Sequence, residues 1–206
     1  LKPSPQYLTR FYLMISLGGA LGALLVGIVA PRVLHGYFEL ALGLILCSLL
    51  LVWQTRHGPR AVIVLGAVAT LGAIGCAVWG SRDFYNATIV SVRNFYGVLR
   101  VQEIAPNTVE HQRSLIHGTI VHGTQFLAPR KKRLATAYYT SSSGVGRVLE
   151  TMQLRLAPLR VGMIGLGVGT LATYGRNADV YRIYEINPAV IIIAERYFTF
   201  LKDSEA

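Results

Sequence analysis

The sequence predicts a membrane α-helical segment followed by an α/β region that begins with a small antiparallel β-domain. Hydrophobic residues make up 52% of the 206 residues, which is a higher fraction than a single soluble globular domain usually has. Almost all of the excess lies before residue 81. Short runs rich in Val, Ile, Thr and aromatic residues follow between Ala87 and Leu127, which is typical of antiparallel strands. From Arg160 onward, strand patterns alternate with helix patterns, which is typical of parallel pairing.

Residues 1–82 are predicted to contain three transmembrane helices, over about 11–30, 33–53 and 61–80. Each run has about 20 mostly apolar residues, the length that crosses a hydrocarbon core as a helix. A buried helical hairpin of a soluble protein is the alternative. Glu39 is the acidic residue within these runs. It is either a transport site or a group that reaches the membrane interface, and its place near the start of its helix favours the interface.

The chain is basic, but the charge is spread along it. Lys and Arg total 20 against 10 Asp and Glu, a formal net charge of +10. The dense run Arg130–Arg133 is explained by a solvated loop or by contact with anionic lipid headgroups, and no interleaved aromatic and basic pattern indicates a nucleic-acid partner. Both cysteines, Cys47 and Cys76, fall in predicted membrane helices. The sequence therefore predicts neither a disulfide framework nor a metal site.

Two segments precede the strand–helix alternation. Residues 83–128 are predicted to form an N-terminal antiparallel β-domain, because "ATIVSV", "YGVLRVQEI" and "RSLIHGTIVHGTQF" alternate apolar and polar positions between turn residues. Residues 129–158 are predicted to form a loop and a linking helix near Gly144–Leu156. That helix follows serines able to cap it and ends at a proline.

Residues 159–206 are predicted to begin a Rossmann-like, methyltransferase-type parallel sheet. "RVGMIG" and "VYRIYE" read as strands, "VGTLATYGR" as a short helix, and "NPAVIIIAERYF" as a second helix with Asn187 at its N-cap. Two parallel strands alone leave a sheet edge and an apolar face uncovered. We therefore expect a truncated sheet, in a chain that is a fragment of a longer protein and is inactive by itself.

The glycine turn after the first of these strands indicates a nucleoside site. Gly165, Gly167 and Gly169 allow the backbone to approach a ligand closely, and Glu185, at the end of the second strand, can accept hydrogen bonds from both ribose hydroxyls. A dinucleotide fingerprint requires G-x-G-x-x-G/A, whereas this chain has Thr170 at the last position. G-x-G-x-G followed by an acid is instead the pattern of enzymes that use S-adenosylmethionine or its decarboxylated form. A structural glycine turn in an unrelated sheet is the alternative.

Several segments together resemble the spermidine synthase family, and in particular its membrane-fused bacterial members. They are "YGVLRVQE", "RSLIHGTIVHGTQF", "TAYYTSSSGVG", "IGLGVGTLATYG" and "YEINPAVIIIAERYFTFL", and the resemblance covers residues 84–206. It implies aminopropyl transfer from decarboxylated S-adenosylmethionine, a co-substrate, to an amine or polyamine, without a metal. The resemblance assigns the three glycines to the family's nucleoside loop and Glu185 to its ribose-binding acid. It also makes Tyr139 a substrate-pocket tyrosine, for which an ordinary buried tyrosine is the alternative, and it places the general-base aspartate beyond Ala206.

The acceptor side departs from the family pattern. This chain has Tyr96-Gly97 where the family has a glutamine after the tyrosine, histidine before Gly118 where the family has aspartate, and no acidic residue around "AYYTS". A dication or trication needs carboxylates to replace its water. The donor site is therefore better supported than the acceptor site.

Three other residues have two interpretations each. Asp203 either contacts the adenosine or is an ordinary loop residue, and its place in the polar tail "KDSEA" favours the loop residue. His117 and His122 are either bases or ligands, or they are surface histidines of a hairpin. Because no third ligand type is nearby in the sequence, the surface interpretation is favoured.

The leading hypothesis is a membrane-bound aminopropyltransferase of the spermidine synthase type. One alternative is an S-adenosylmethionine-dependent methyltransferase, although an N-terminal β-domain is not usual ahead of such an enzyme. The other is a non-catalytic nucleoside- or polyamine-binding domain on a transporter-like membrane protein. The expected partners are a small-molecule amine and the lipid bilayer, with a possible homodimer. The expected location is a multi-pass position in a bacterial inner membrane, with the soluble domain in the cytoplasm, where the donor is made.

Overall fold

The computed structural model describes residues 3–155 and 157–206. These divide into two compact units, each described by itself below. The first contains the chain up to Asn86 together with Arg93–Phe95, and the second contains Ala87–Val92 and Tyr96–Ala206.

The first unit is helical. A continuous helical run, Pro5–Val33, contains α1 (Leu8–Leu24), a π-helical turn (Leu25–Val29) and α2 (Ala30–Val33). Pro31 lacks a backbone N–H, and the wider turn just before it accommodates the missing hydrogen bond. Two further helices follow, α3 (Glu39–Thr55) and α4 (Arg60–Tyr85).

Two of these helical segments are long and apolar enough to cross a membrane, judged by length and composition. Pro5–Val33 has 29 residues and a mean hydropathy of 2.3, and Arg60–Tyr85 has 26 residues and a mean hydropathy of 2.4. The predicted start of the middle helix at Val33 is wrong. Leu34 adopts an extended backbone after α2, and α3 begins only at Glu39 and has 17 residues. At 1.5 Å per residue it is about 26 Å long, which is shorter than a typical hydrocarbon core.

The second unit contains the predicted meander, except for the last two residues of its first strand. Strands β1 (Thr88–Asn94), β2 (Gly97–Ile104), β3 (Gln112–His117) and β4 (Ile120–Phe126) form one sheet in the order β1-β2-β3-β4. The β2–β3 and β3–β4 pairs are antiparallel, which confirms the antiparallel sheet. Its register shifts between Leu115 and Ile116, so that Leu115 lies opposite Gly123.

A second sheet contains two parallel strands, β5 (Arg160–Ile164) and β6 (Val180–Tyr184), with Ile164 opposite Tyr184. The parallel pairing is therefore confirmed, whereas the Rossmann-like fold remains a prediction. The connection contains the predicted short helix, which is a 3₁₀ helix, Thr170–Tyr174. Gly169, in the left-handed conformation just before it, and Gly175, just after it, leave room for only a single short turn.

Two α-helices flank these strands. Helix α5 (Gly144–Gln153) is capped by Ser143, whose hydroxyl accepts a hydrogen bond from the Gly146 N–H. It ends earlier than predicted, and Leu156 lies outside the described residues. Helix α6 (Pro188–Tyr197) begins as predicted: Asn187 is its N-cap and accepts a hydrogen bond from the Ala189 N–H.

One hydrophobic core joins the antiparallel sheet to the C-terminal segment. Its buried members come from β2 and β3, from the glycine loop, and from α6 and the turn after it: Leu99, Val101, Leu115, Val168, Val190, Ile193, Phe198 and Phe200. This core fixes the glycine loop against the meander. A cavity between these elements is therefore held by packed secondary structure on several sides.

Candidate functional site: the glycine loop and its cavity

All three predicted loop glycines have positive φ angles, at +91° for Gly165, +57° for Gly167 and +83° for Gly169. A side chain is strained in this region of backbone space, so each position favours glycine for the turn itself. The loop begins where the Gly165 N–H donates a hydrogen bond to the Tyr184 carbonyl at 2.7 Å. The turn therefore starts directly at the carboxyl ends of the two parallel strands.

The surroundings of the three glycines differ. A Cβ at Gly165 would meet no atom within 4 Å, so its face is open. A Cβ at Gly167 would lie 2.9 Å from the carbonyl oxygen of His122 in β4, and one at Gly169 would lie 3.0 Å from the Leu201 side chain. Gly165 is thus the position that presents bare backbone to open space, while the other two permit close packing.

Contact between the loop and the sheet is equally close at Val168. This side chain is 1% exposed, and a Cβ on Gly123 of β4 would overlap one of its methyl carbons. The absence of a side chain at Gly123 is what allows the glycine loop to lie on β4. The antiparallel sheet thus forms one wall beside the loop.

Glu185 lies where it was predicted, at the end of β6. Its Oε2 accepts a hydrogen bond from the Leu166 N–H at 2.9 Å, and its Oε1 accepts one from the Asn187 N–H at 2.9 Å. The carboxylate therefore joins the glycine loop to the start of α6. A carboxylate has about four lone-pair positions, so about two of them remain to accept hydrogen bonds from a ligand.

A cavity of about 400 Å³ opens above this turn. Gly165, Gly167 and Glu185 line it, with Ile164 at its rim, 96% exposed. Leu99, Leu115 and Val190 form its apolar surface. A volume of this size accommodates a nucleoside or another small organic ligand. Gly169 is not among its lining residues and instead begins the 3₁₀ helix.

Tyr139 also lines this cavity. It ends a short 3₁₀ helix, Ala137–Tyr139, and its carbonyl accepts a hydrogen bond from the Tyr174 hydroxyl at 2.7 Å. Burial, reinforced by Tyr138, raises the pKa of the Tyr139 phenol to about 12. The hydroxyl is therefore protonated at neutral pH, and it has a hydrogen bond with the Tyr138 side chain. Both sequence interpretations of Tyr139 fit this environment, and its role stays a prediction.

The two histidines of the predicted hairpin also belong to this cavity. His117 and His122 both line it, with ring centroids 5.5 Å apart. His117 is the last residue of β3 and His122 lies in β4, so the tight turn between these strands brings their side chains together. Both rings are partly buried, and a role for them as bases or ligands stays a prediction. The signal that could have revealed the pair was their placement on either side of Gly118 in a predicted hairpin.

The protonation of these histidines follows from their surroundings. His117 Nε2 lies 2.7 Å from the Tyr96 carbonyl oxygen. Because a carbonyl can only accept, Nε2 carries the hydrogen, and in the neutral ring Nδ1 is an acceptor. Burial lowers the pKa of His122, the charge of His117 lowers it further, and Glu185 opposes both. His122 is consequently neutral at pH 7.

Other predicted residues lie away from the cavity lining. The Asp203 carboxylate accepts a hydrogen bond from the Thr199 hydroxyl at 2.6 Å and pairs with Lys132 at 3.1 Å. This supports the interpretation of Asp203 as a structural loop residue. Lys131 forms an ion pair with Glu110 at 2.5 Å. Much of the basic run Arg130–Arg133 therefore has partners within its own unit.

Glu39 has a partner that the sequence did not indicate. Arg93 donates to both of its carboxylate oxygens, at 2.6 Å and 3.0 Å, and also to the carbonyl of Gly36. The side chains of Arg93 and Glu39 are 6% and 19% exposed. A two-point pair of this kind compensates the charge of Glu39. The pairing accounts for the charge of Glu39 without a transport site, and its place at the membrane interface stays a prediction.

Comparison of the chain with protein-family models, with curated protein sequences and with solved structures finds no match.

Proposed function

We propose that the cavity binds the nucleoside part of a sulfonium donor, and that the protein is a membrane-bound transferase of the spermidine synthase type. The proposal rests on one observation: the Gly165–Gly169 loop and Glu185 lie side by side at the carboxyl ends of the two parallel strands. The loop offers open backbone at Gly165, and Glu185 retains lone pairs for the two hydroxyls of a ribose. The resemblance of residues 84–206 to the spermidine synthase family adds the donor, decarboxylated S-adenosylmethionine.

The reaction class needs little covalent chemistry from the protein. A sulfonium is a good leaving group, so the enzyme chiefly aligns a nucleophile with the carbon next to the sulfur and removes a proton. A nucleoside held by a rigid loop supplies half of this alignment. The antiparallel sheet, which lies on the loop through Gly123 and Val168, supplies a wall on which the second substrate can lie.

A methyltransferase that uses S-adenosylmethionine itself is the second candidate, because it shares the glycine loop and the acid. The packing of the β-meander on the glycine loop favours the aminopropyl type, in which such a domain precedes the nucleoside sheet. The third candidate is a nucleoside-binding domain without turnover on a transporter-like protein. In all three, the apolar segments Pro5–Val33 and Arg60–Tyr85 serve as membrane spans, and α3 is a third span in a multi-pass inner-membrane protein with a cytoplasmic soluble domain.

Calorimetry on the full chain in detergent tests the proposal. Decarboxylated S-adenosylmethionine, S-adenosylmethionine and methylthioadenosine are titrated in parallel into the protein and into Glu185→Gln. Loss of the charge-assisted hydrogen bonds at Glu185 should weaken binding by about 10- to 100-fold. The matched control is Glu195→Gln, because Glu195 is exposed on α6 and does not line the cavity, and it should bind like the unaltered chain.

The ligand preference separates the candidates. Tighter binding of the decarboxylated donor supports the aminopropyltransferase, and tighter binding of S-adenosylmethionine supports the methyltransferase. Absence of nucleoside binding, or equal loss in the Glu185 and Glu195 variants, would refute the proposed site.

A further inference from the structure

The helical unit contains two segments with a tryptophan followed three positions later by an arginine. The first, "WQTRH", is Trp53–His57, at the end of α3 and in the turn before α4, and the second, "WGSRD", is Trp79–Asp83, near the end of α4. Residues three apart lie on the same face of a helix. Tryptophan and arginine at the ends of apolar helices are typical of the level of the lipid headgroups. The two segments therefore mark the two ends of the apolar length of α4.

In the first segment the arginine is engaged by its own neighbours. The Arg56 guanidinium stacks over the Trp53 ring, 4.7 Å from its centroid. It donates hydrogen bonds to the Trp53 carbonyl at 2.9 Å and to the His57 ring at 3.1 Å. These contacts engage both the face and the edge of the guanidinium. This segment thus serves as an internal reference for the second one.

In the second segment the arginine lines an open cavity of about 620 Å³ at the end of α4. Arg82 and Asp83 are exposed, and Trp79 is 74% exposed. These three side chains lie on one face of the helix, at positions i, i+3 and i+4. The cavity is lined by Trp79, Ser81, Arg82, Asp83, Tyr85 and Asn86. A cation, an anion and an indole ring are therefore presented side by side.

One wall of this cavity is held in place by aromatic packing. The Tyr85 ring stacks on Phe38, with centroids 6.1 Å apart, and meets Phe84 edge-on at 5.0 Å. Phe38 is the residue just before α3. The aromatic cluster therefore joins the start of α3 to the end of α4, and Tyr85 is fixed before any ligand binds.

The charges of the cavity match those of a zwitterion. Arg82 presents charged N–H donors, which phosphate oxygens accept strongly. Asp83 is negative and lies in the last turns of α4, where the carbonyl groups give the helix end a negative partial charge. The face of the Trp79 indole also attracts cations. A group with a phosphate and a primary ammonium therefore finds a partner for each of its charges.

We propose that the cavity at the end of α4 binds the phosphoethanolamine headgroup of a membrane phospholipid, with the phosphate at Arg82 and the ammonium at Asp83 and Trp79. The inference rests on the proposed membrane position of Arg60–Tyr85 and is separate from the nucleoside site. A lipid is the source of the headgroup because the cavity lies where an apolar span ends. Trp53 and Arg56 then anchor the other end without selecting a lipid.

Quenching of tryptophan fluorescence by brominated lipids tests the proposal on the full chain in vesicles. The chain has two tryptophans, so Trp53→Phe reports on Trp79 alone, and Trp79→Phe reports on Trp53 alone. The vesicles are phosphatidylcholine with a minor fraction of one lipid brominated on its acyl chains: phosphatidylethanolamine, phosphatidylglycerol or phosphatidylcholine. Phosphatidylethanolamine should be enriched about fivefold over the other two at Trp79. All three should quench Trp53 equally.

Substitutions in the Trp53→Phe background separate the two charges of the headgroup. Asp83→Asn should change the preference at Trp79 from phosphatidylethanolamine to phosphatidylglycerol, because Arg82 then attracts an anionic headgroup without an opposing carboxylate. Arg82→Gln should abolish the enrichment of both lipids. The matched control is Arg56→Gln, which removes a cation at the other end of α4 and should leave the preference at Trp79 unchanged.

Equal quenching of Trp79 by the three lipids, the same preference at Trp53, or an unchanged preference in both Asp83→Asn and Arg82→Gln overturns the inference. Soluble glycerophosphoethanolamine should not relieve the quenching, and relief would overturn the assignment to a lipid. If no lipid quenches either tryptophan, the membrane position itself is refuted. Because no nucleoside is present, these outcomes are independent of whether the glycine-loop cavity binds one.

Discussion

The glycine loop allows a sharp prediction, because two of its glycines have similar backbone strain but different surroundings. Alanine at Gly165 would be forced into φ +91° with no atom within 4 Å of its Cβ. Such a left-handed backbone costs an alanine about 1–2 kcal/mol of the free energy of unfolding. The methyl group would also project into the open space above the turn.

Alanine at Gly167 carries an additional penalty. Its φ is +57°, and its Cβ would lie 2.9 Å from the His122 carbonyl oxygen, which is backbone and cannot rotate away. Overpacking of this kind costs a further 1–3 kcal/mol or so, for a total of about 2–5 kcal/mol. Gly167→Ala should therefore destabilise the second unit more than Gly165→Ala does.

The effects on ligand affinity should have the opposite order: among the molecules that remain folded, Gly165→Ala should weaken nucleoside binding more than Gly167→Ala does. Gly165→Ala obstructs the bare backbone at the turn and should weaken methylthioadenosine binding more than its stability loss explains. Gly144→Ala is the matched control, because it lies at the first position of α5 with nothing within 4 Å of its Cβ. That change should alter stability by no more than about 1 kcal/mol.

The assay is hydrogen–deuterium exchange of peptides from β2 to β4 in increasing urea, on the full chain in detergent, combined with calorimetry of methylthioadenosine. Equal destabilisation by the Gly165 and Gly167 variants would refute the packing argument. Unchanged nucleoside affinity of Gly165→Ala would refute the role of the open backbone.

Three further predictions concern other parts of the chain. His122 should titrate below its usual pKa of about 6.5; its folded pKa is lowered, so the unfolded chain binds more protons between the two values. The free energy of unfolding should therefore fall as pH drops below about 6.5, and His122→Gln should flatten that dependence in pH-dependent urea titrations. Glu39→Ala leaves Arg93 buried without its carboxylate and should lower the free energy of unfolding by about 3–5 kcal/mol. In a double-mutant cycle, the variant that also carries Arg93→Ala should lose less stability than the sum of the losses in the two single variants. Cys47 and Cys76, both free and exposed on the helices, should resist an impermeant maleimide in intact vesicles and react after detergent is added; labelling in vesicles would contradict the membrane assignment.

The sequence predicted the parts of this fold whose signals are local. Strand alternation revealed the antiparallel sheet, and the cap at Asn187 fixed the start of α6, because both depend on neighbours within a few residues. The start of α3 was misplaced because hydropathy does not register the break around Gly36, where a Cβ would lie 2.9 Å from the rings of Phe38 and Phe84. That constraint is tertiary and has no periodic signature.

The candidate site likewise has residues that local sequence signals predict and residues that they do not. Gly165 and Glu185 were predicted because a glycine turn and an acid that follow two neighbouring parallel strands lie at the same edge of the sheet and can contact one ligand. The placement of His117 and His122 in the cavity depends on how the meander lies on the glycine loop, through the contact of Gly123 with Val168. Contacts between segments far apart in sequence are invisible to a pattern read along one chain.

The position of Glu185 connects the two halves of the cavity. Its hydrogen bonds to the Leu166 and Asn187 N–H groups hold the loop in place before any ligand arrives, so a nucleoside would bind to a surface that is already ordered. The same carboxylate raises the pKa of His122, against the lowering by burial and by His117. A ribose that takes up its remaining lone pairs would weaken this effect, and His122 would become still harder to protonate. Donor binding would thus keep His122 neutral at pH 7.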